Sequence, residues 1–410
     1  MKYYRNIELT KLHNVSDKAV RNWILSTRAG KLNLDLFEQD GKFFVADTIR
    51  NNQLIDDLVE RGKKYRNQRN HISLSPSKIF YSLFDAKQII DIANSLEKYH
   101  EFPQQYRYLG EGATYWDSYL HKLYNAGRNN LLTKTLELLN LDRDYLDATV
   151  AEYESINVVD LGAGNGLSAR VLIENMRKSG KLKRYIGIDI SQSLLDITEH
   201  NMINWFSGKV KVEKYTRDFS HEQFADIIHN TPPNVEPIKT INIILFLGGI
   251  VGNFRRTSQV LDTIRESMGK NDILLTSLKL DSENTRRFFD FNIESDKTPL
   301  SHRNKLPLDY LSIPETSYEV EQFFDEKQQS RFIQVRLKID ISLDFKLPNF
   351  RKTVELRKGD TIMLFRSREF NDRELLELYD NNGFSRLRTT LSHNQEYTLT
   401  ISKVRTKGTA

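Results

Sequence analysis

Apolar positions follow two rhythms along the chain. Residues 7–26, "IELTKLHNVSDKAVRNWILS", put Leu9 and Leu12 on one short helix and Val20, Trp23 and Ile24 at helical spacing on a second. Asn14 falls between them, where a tight turn needs a residue that tolerates positive φ, and Ser16 is a natural N-cap. "LNLDLFEQDGKFFVAD" (32–47) alternates on both sides of Asp40-Gly41, which predicts a hairpin. Residues 73–139 return to helical spacing through Phe80, Leu83, Phe84, Ile89, Ile90 and Ile92. An irregular aromatic stretch, "FPQQYRYLGEGATYWDSY" (102–119), interrupts them. From residue 156 onward, apolar runs of strand length recur: 156–161, "YIGIDIS" (185–191), "VKVEKYTRDF" (210–219), "INIILFLGGIVGNF" (241–254) and "NDILLTSLKLD" (271–281). With helical spacing over 167–176, this pattern predicts an α/β, doubly wound sheet, which "QEYTLTISKV" (395–404) rejoins as a late hairpin.

Composition narrows the class. None of these runs reaches the roughly 20 apolar residues of a membrane span, and "MKYYRNIELTK" has no apolar core of the secretory type. There is no cysteine, which excludes disulfides, thiolate metal sites and a cysteine nucleophile, and fits a reducing cytoplasm. A cytoplasmic protein is therefore expected. Of the 60 Lys and Arg and the 55 Asp and Glu, 14 and 9 fall within residues 1–75, so the excess of +5 lies there and the remainder balances. "RGKKYRNQR" (61–69) reads either as a solvated helix face or as a surface for a polyanion.

A helix-turn-helix followed by a hairpin wing resembles the DNA-binding domain of MerR-type regulators and excisionases. The resemblance covers residues 1–70 and implies that Lys18, Arg21 and Asn22 point outward as DNA or RNA contacts. A module that contacts protein instead is the alternative. In the aromatic stretch, Tyr106, Tyr108, Tyr115 and Trp116 either line a pocket or pack internally.

"INVVDLGAGNGLSAR" (156–170) carries the strongest chemistry. A strand ends in Asp160, glycines alternate at Gly162, Gly164 and Gly166, and a helix follows. Such a turn lets the backbone approach a nucleotide. The next strand ends in Asp189, which can accept hydrogen bonds from both hydroxyls of a ribose, and a third ends in Asp218-Phe219. A dinucleotide site would show G-x-G-x-x-G facing a pyrophosphate. The spacing here is D-x-G-x-G-x-G, which resembles the S-adenosyl-L-methionine turn of class I methyltransferases; a glycine turn without ligand is the remaining reading. The resemblance implies that Asp160, Gly162, Gly164, Gly166, Asp189, Asp218, Phe219 and Gly248 hold the cofactor, with Asp218 and Phe219 around the adenine.

"FLGGIVGN" (246–253) is similar to the F-L-G-[ST]-x-x-G-N segment of the histidine-specific N-α-methyltransferases of ergothioneine synthesis, shared by fungal dimethylallyltryptophan N-methyltransferases. The resemblance continues through "RRFFDFN" (286–292), "KGDTIMLFRSREFN" (358–371) and "LYDNNGF" (378–384). It implies that Asn253 binds the amino-acid portion of the acceptor. The family's I-R-T-E-x-S-x-K-F segment aligns with "IMLFRSREF", putting Phe365 at the glutamate, Ser367 at the serine and Glu369 at the lysine. Losing that carboxylate forfeits a charge-assisted hydrogen bond to an imidazole, worth roughly 1.5–3 kcal/mol. The acceptor implied is a small molecule other than histidine, an amino acid or amine, N-methylated by in-line displacement. Asn253 and Ser367 position it, and Phe365 with Tyr106 or Tyr115 lines its pocket.

The rival reading is a regulator that senses or uses S-adenosylmethionine and binds nucleic acid through residues 1–70. A base methyltransferase is disfavoured: Gly-Gly-Ile-Val-Gly-Asn stands where an Asn/Asp-Pro-Pro-aromatic loop would grip a flipped base, and "NTPPNV" (230–235) reads as a loop. The nine histidines show no H-x-x-x-H pair for a metal, and no G-x-S-x-G elbow is present. The expected organisation is a winged helix-turn-helix over 1–70 and a helical substrate cap over 71–150. A Rossmann-like methyltransferase core follows over 151–281, then an inserted α+β substrate subdomain and the last core strands over 282–410.

Overall fold

The computed structural model describes residues 2–69, 71–127, 129–229, 239–282 and 300–405. The stretches 230–235 and 286–292 discussed above lie outside them, as do the side chains of 63–69. The chain divides into two compact units, Met1–Ser73 with Ile339–Ser342, and Leu74–Lys338 with Leu343–Ala410.

The first unit begins with β1 (Tyr3–Tyr4) and the helices Asn6–Leu12 and Asp17–Arg28. The hairpin β2 (Leu36–Gln39) and β3 (Lys42–Ala46) follows, then the helix Ile49–Arg69 and β4 (His71–Leu74). Local chemistry sets these elements. Asn14 adopts φ 50°, Asp40 and Gly41 adopt φ 51° and 69°, and Ser16 Oγ accepts a hydrogen bond from the Ala19 N–H at 3.2 Å. Leu9, Val20, Ile24, Val45 and Ile55 form its core. Lys18, Arg21 and Asn22 are exposed on the second helix, with Arg21 paired to Asp17 at 2.7 Å.

The second unit is organised by a seven-stranded sheet. Its members are β5 (Ser155–Leu161), β6 (Leu182–Asp189), β7 (Val212–Thr216), β8 (Thr240–Phe246), β9 (Ile273–Lys279), β15 (Phe384–Leu391) and β16 (Tyr397–Val404). They run in the order β15-β16-β9-β8-β5-β6-β7. β7, β6, β5, β8 and β9 are parallel; β16 runs antiparallel to β9, and β15 pairs antiparallel with it. Every residue of β5 is buried, as expected of a parallel strand covered on both faces. Its period of two splits the core: Val158 packs with Leu138, Leu172, Ile243 and Ile401, and Val159 with Ile186, Ile244, Leu261 and Tyr379. The chain runs from β5 outward through β6 and β7, then returns to the other side of β5 as β8. Strand order reverses there, leaving a crevice at the carboxyl ends of β5 and β8, where open α/β sheets bind ligands.

Three further strands follow helix His302–Tyr310: β10 (Tyr318–Asp325), β11 (Ser330–Leu337) and, later, β14 (Thr361–Arg368) form an antiparallel sheet. Between them, β12 (Asp340–Leu347) and β13 (Phe350–Leu356) are hydrogen-bonded neighbours. Among the described residues no helix is long and apolar enough to cross a membrane.

Candidate active site

The turn after β5 is built from backbone. Gly162, Gly164 and Gly166 adopt φ of 67°, 58° and 79°, a region that strains any residue with a Cβ. At Gly162 a Cβ would also stand 2.8 Å from Ile250 Cδ1. Asp189, at the tip of β6, fixes the turn: Oδ2 accepts the Gly164 N–H at 3.1 Å and Oδ1 the Ser191 N–H at 2.9 Å. Asp160 lies beneath, 3% exposed, and accepts a hydrogen bond from the Tyr185 hydroxyl at 2.7 Å. Burial pushes the Asp160 carboxyl up to about 7, against the pull of Tyr185 and helped by the nearby Asp189. Burial likewise pushes Asp189 up to about 6, against its backbone hydrogen bonds.

Both shifts are upward, so the folded protein holds these protons more tightly than the unfolded chain. The stability they contribute is complete below the usual carboxylate range near pH 4 and is lost as pH rises through about 6 to 7. Without ligand the protein should therefore melt at a lower temperature at pH 7.5 than at pH 5, as differential scanning calorimetry would read.

Beyond β8 the chain turns at Gly248 and Gly249, whose N–H groups donate to Ser277 Oγ at 3.0 Å and Ser277 O at 2.9 Å. A short 3-10 turn, Ile250–Asn253, follows. Gly252 packs so closely on β14 that a Cβ there would stand 2.2 Å from the Arg368 carbonyl oxygen. Phe219, Phe246 and Phe254 cluster nearby, with centroids 5.9–6.2 Å apart.

These elements enclose one cleft of about 1360 Å³, the space at its mouth included. Gly162, Gly164, Asp189, Asp218, Phe219, Gly248, Asn253, Phe365 and Ser367 all line it. Asp218 Oδ1 accepts from the Ser220 backbone N–H at 3.0 Å and from its hydroxyl at 2.5 Å. Asn253 and Ser367 make no side-chain hydrogen bond among the described residues, so both offer polar groups to the space they face. Asp160 and Gly166 support the turn rather than line the cleft; Gly166 faces Met202 and Thr198.

Two expectations are corrected. Tyr106 is buried off the cleft, its hydroxyl bonded to Asp91 at 3.0 Å and its ring edge-on to Phe84. Tyr115 lies against His302 beside a separate surface hollow. Their neighbours Tyr108 and Trp116 line the cleft instead. The 3-10 turn Gln104–Tyr108 and the break at Gly110, φ 56°, rotate alternate rings away from where a continuous helix would put them.

Apart from Glu369, the remaining wall comes from residues that no motif pointed to. Arg331 of β11 and Glu369 both line the cleft and form a buried ion pair at 2.7 Å. Gln104 lines it at 7% exposure; its Oε1 accepts the Arg366 N–H at 3.0 Å, while Nε2 is buried without a partner. Behind this wall Arg107 is fully buried. Its Nη1 donates to Asn304 Oδ1 at 2.6 Å, its guanidinium lies 5.1 Å over the Phe365 ring, and Nη2 has no partner. Burial, with Arg303 adding repulsion, pulls Arg107 down to about 9. Leaving a buried donor unbonded costs about 1–3 kcal/mol, and more for a charged one. Among the described residues no group of three or more His, Asp or Glu could hold a metal ion.

A strand-order switch whose cleft combines a glycine turn with acidic strand tips suits a nucleoside ligand. The sequence model of the histidine-specific, S-adenosylmethionine-dependent methyltransferases matches residues 89–404, and the chain belongs to that family. It is an S-adenosylmethionine-dependent methyltransferase. The match begins at residue 89, so the MerR-like reading of residues 1–70 gains no support from it. No curated protein matches the chain. Among solved structures, a methyltransferase of Clostridium acetobutylicum is similar at 12% identity over 71% of this chain and 99% of that one, with a TM-score of 0.35. The magnesium protoporphyrin IX methyltransferase of Synechocystis, solved with bound S-adenosylhomocysteine, matches at 11% identity over 77% and 99%, TM-score 0.36. The CcbJ methyltransferase of Streptomyces caelestis matches at 12% identity over 65% and 90%, TM-score 0.32.

Proposed function

We propose that the protein N-methylates a small amine or amino acid other than histidine. One observation carries this reading: the donor-type turn (Gly162, Gly164, Asp189, Asp218) and a distinct wall bearing Asn253, Phe365 and Ser367 line a single cleft. When bound, the cofactor supplies an electrophilic methyl on a sulfonium.

The chain's own residues do the rest. Gly162 and Gly164 admit the ligand against bare backbone, and Asp189 accepts hydrogen bonds from ribose hydroxyls. Phe219 and Asp218 face the adenine, and Gly248 opens the end of β8 to the reacting groups. Asp160, which accepts the hydrogen bond of the Tyr185 hydroxyl, puts negative charge under a cationic donor once it is ionised. Asn253 and Ser367 hold the acceptor amine in line, where positioning supplies most of the acceleration. Phe365 gives the acceptor wall an apolar ring with no carboxylate to grip an imidazole. Screening metabolite extracts for transfer of labelled methyl, with histidine alongside, tests the reading; histidine as the best acceptor would sink it.

Charge linkage gives a further expectation. A cation binds best when Asp160 and Asp189 are ionised, so affinity for S-adenosylmethionine should rise with pH. From pH 5.5 to pH 8 the ionised fraction of a group at about 6 rises about fourfold, and calorimetry should show at least that gain.

A second reading, favoured by the exposure of Lys18, Arg21 and Asn22 on one helix, is that residues 1–70 bind nucleic acid, delivering or regulating the enzyme. In the full chain, Lys18→Glu with Arg21→Glu should weaken duplex DNA about tenfold and flatten the salt dependence by about two charges. A mobility shift unchanged by the pair, or absent from wild type, would remove this reading.

A further inference from the structure

We infer that the indole N–H of Trp116 donates a hydrogen bond to the carboxylate of the bound cofactor, and so selects complete S-adenosylmethionine over a decarboxylated form. This rests on the methyltransferase reading of the same cleft. It adds a residue of the helix Glu111–Asn125 to those that hold the cofactor.

Trp116 lines the cleft, half-buried, and its N–H has no hydrogen-bond partner among the described residues. That edge of the ring meets the glycine turn: a Cβ on Gly164 would stand 3.1 Å from Nε1 and 3.6 Å from Cδ1. Neighbours hold the ring in place. Tyr119 stacks on it with centroids 5.5 Å apart, and Tyr108 lies nearly perpendicular to it at 5.3 Å. The next residue, Asp117, ties the helix to the turn, its Oδ1 accepting a hydrogen bond from Asn165 Nδ2 at 2.9 Å. A donor fixed in this way loses little freedom on binding a ligand.

Four N–H groups at the turn are already spent. Gly162 donates to Ile188 O at 2.8 Å, Gly164 to Asp189 at 3.1 Å, Gly166 to Ala163 O at 2.9 Å and Leu167 to Asn165 Oδ1 at 3.2 Å. A glycine turn that takes phosphate keeps such groups for the anion. On the proposed placement of adenine at Asp218, beyond β7, and ribose at Asp189, on β6, the amino-acid end of the cofactor falls one strand further along, at the turn after β5. Asp160 and Asp189 there suit its ammonium and repel its carboxylate, which needs a donor from another element. Trp116 supplies one, because an indole N–H donates and cannot accept. Asn253 and Ser367, assigned to the acceptor, stand on a different turn and on β14.

The test titrates the full chain at pH 8 with S-adenosylhomocysteine and with S-adenosyl-3-thiopropylamine, which lacks only the carboxylate. Wild type should bind S-adenosylhomocysteine about tenfold more tightly than the amine. Trp116→Phe keeps an aromatic ring without the N–H; it should weaken S-adenosylhomocysteine about tenfold and leave the amine within about twofold. Equal binding of the two ligands by wild type overturns the inference. So does a Trp116→Phe variant that weakens neither, or that weakens both alike, since the ring then only packs. The chain has three tryptophans, and in isotope-labelled wild type one indole N–H resonance should move downfield with S-adenosylhomocysteine and stay in place with the amine. Where the variant does not fold, that resonance decides, and its failure to move overturns the inference. Wild type that binds neither ligand overturns the cofactor assignment as well.

Discussion

Alanine at Gly252 is expected to lower methyl transfer at least 100-fold while leaving the chain folded at low temperature. Gly252 needs no unusual φ; the constraint is approach. Its missing Cβ leaves room for the Arg368 carbonyl oxygen, which a methyl group would meet at 2.2 Å, with the Arg368 carbon and nitrogen at 3.2 and 3.3 Å. Those neighbours are all backbone, so no side-chain rotation relieves the contact. The 3-10 turn and β14 must separate by about an ångström, and overpacking of this kind costs about 1–3 kcal/mol. The larger effect is geometric. The turn carries Asn253 and the strand carries Ser367, so the shift pulls apart the two polar groups assigned to the acceptor, and a misplacement of about 1 Å costs about 100-fold. Thermal melting and turnover measured together separate the two effects. Near-wild-type turnover would mean that the turn and strand do not cooperate on one substrate.

Asp189→Ala should weaken S-adenosylmethionine about 100-fold, roughly 2.7 kcal/mol. On the proposed ribose role, the substitution removes a ligand contact, and it frees the Gly164 and Ser191 N–H groups that the carboxylate now holds. Asp189→Asn keeps one acceptor oxygen and should lose only about tenfold, while flattening the pH dependence of binding because one of the two titrating carboxyls is gone. Calorimetry at pH 5.5 and pH 8 on both variants distinguishes a lost charge from a loosened turn. Affinity within twofold of wild type for the alanine variant would move the ribose contact to another residue.

What the sequence made legible was local. Strand, glycine turn and helix occupy consecutive residues, so Gly162, Gly164 and Gly166 are placed on one turn by their spacing. The same holds for the Asp40-Gly41 hairpin and the Ser16 cap. What it hid is long-range. The family resemblance implies that Asp160 holds the cofactor, but the Tyr185 hydroxyl, 25 residues on, bonds its carboxylate off the cleft lining. The aromatic stretch was recognised without its register: two rings exchange places once Gln104–Tyr108 becomes a 3-10 turn and Gly110 breaks the path. Gln104 and Arg331 reach the same cleft from a turn and a strand more than 200 residues apart, and no spacing rule announces a meeting that only the tertiary fold assembles.

The cleft has two sides of different construction. One is made of main chain: glycines with fixed torsions and N–H groups anchored to Asp189 and Ser277. The other is made of side chains mounted on a separate small sheet and a single turn. Exchange of a ring, an amide or a guanidinium on the second side leaves the peptide geometry of the first untouched. A scaffold divided in this way can be retargeted by a few substitutions at 104, 331, 365 and 367 without relearning how to hold its reagent, which makes those positions the natural coordinates for redesigning what it modifies.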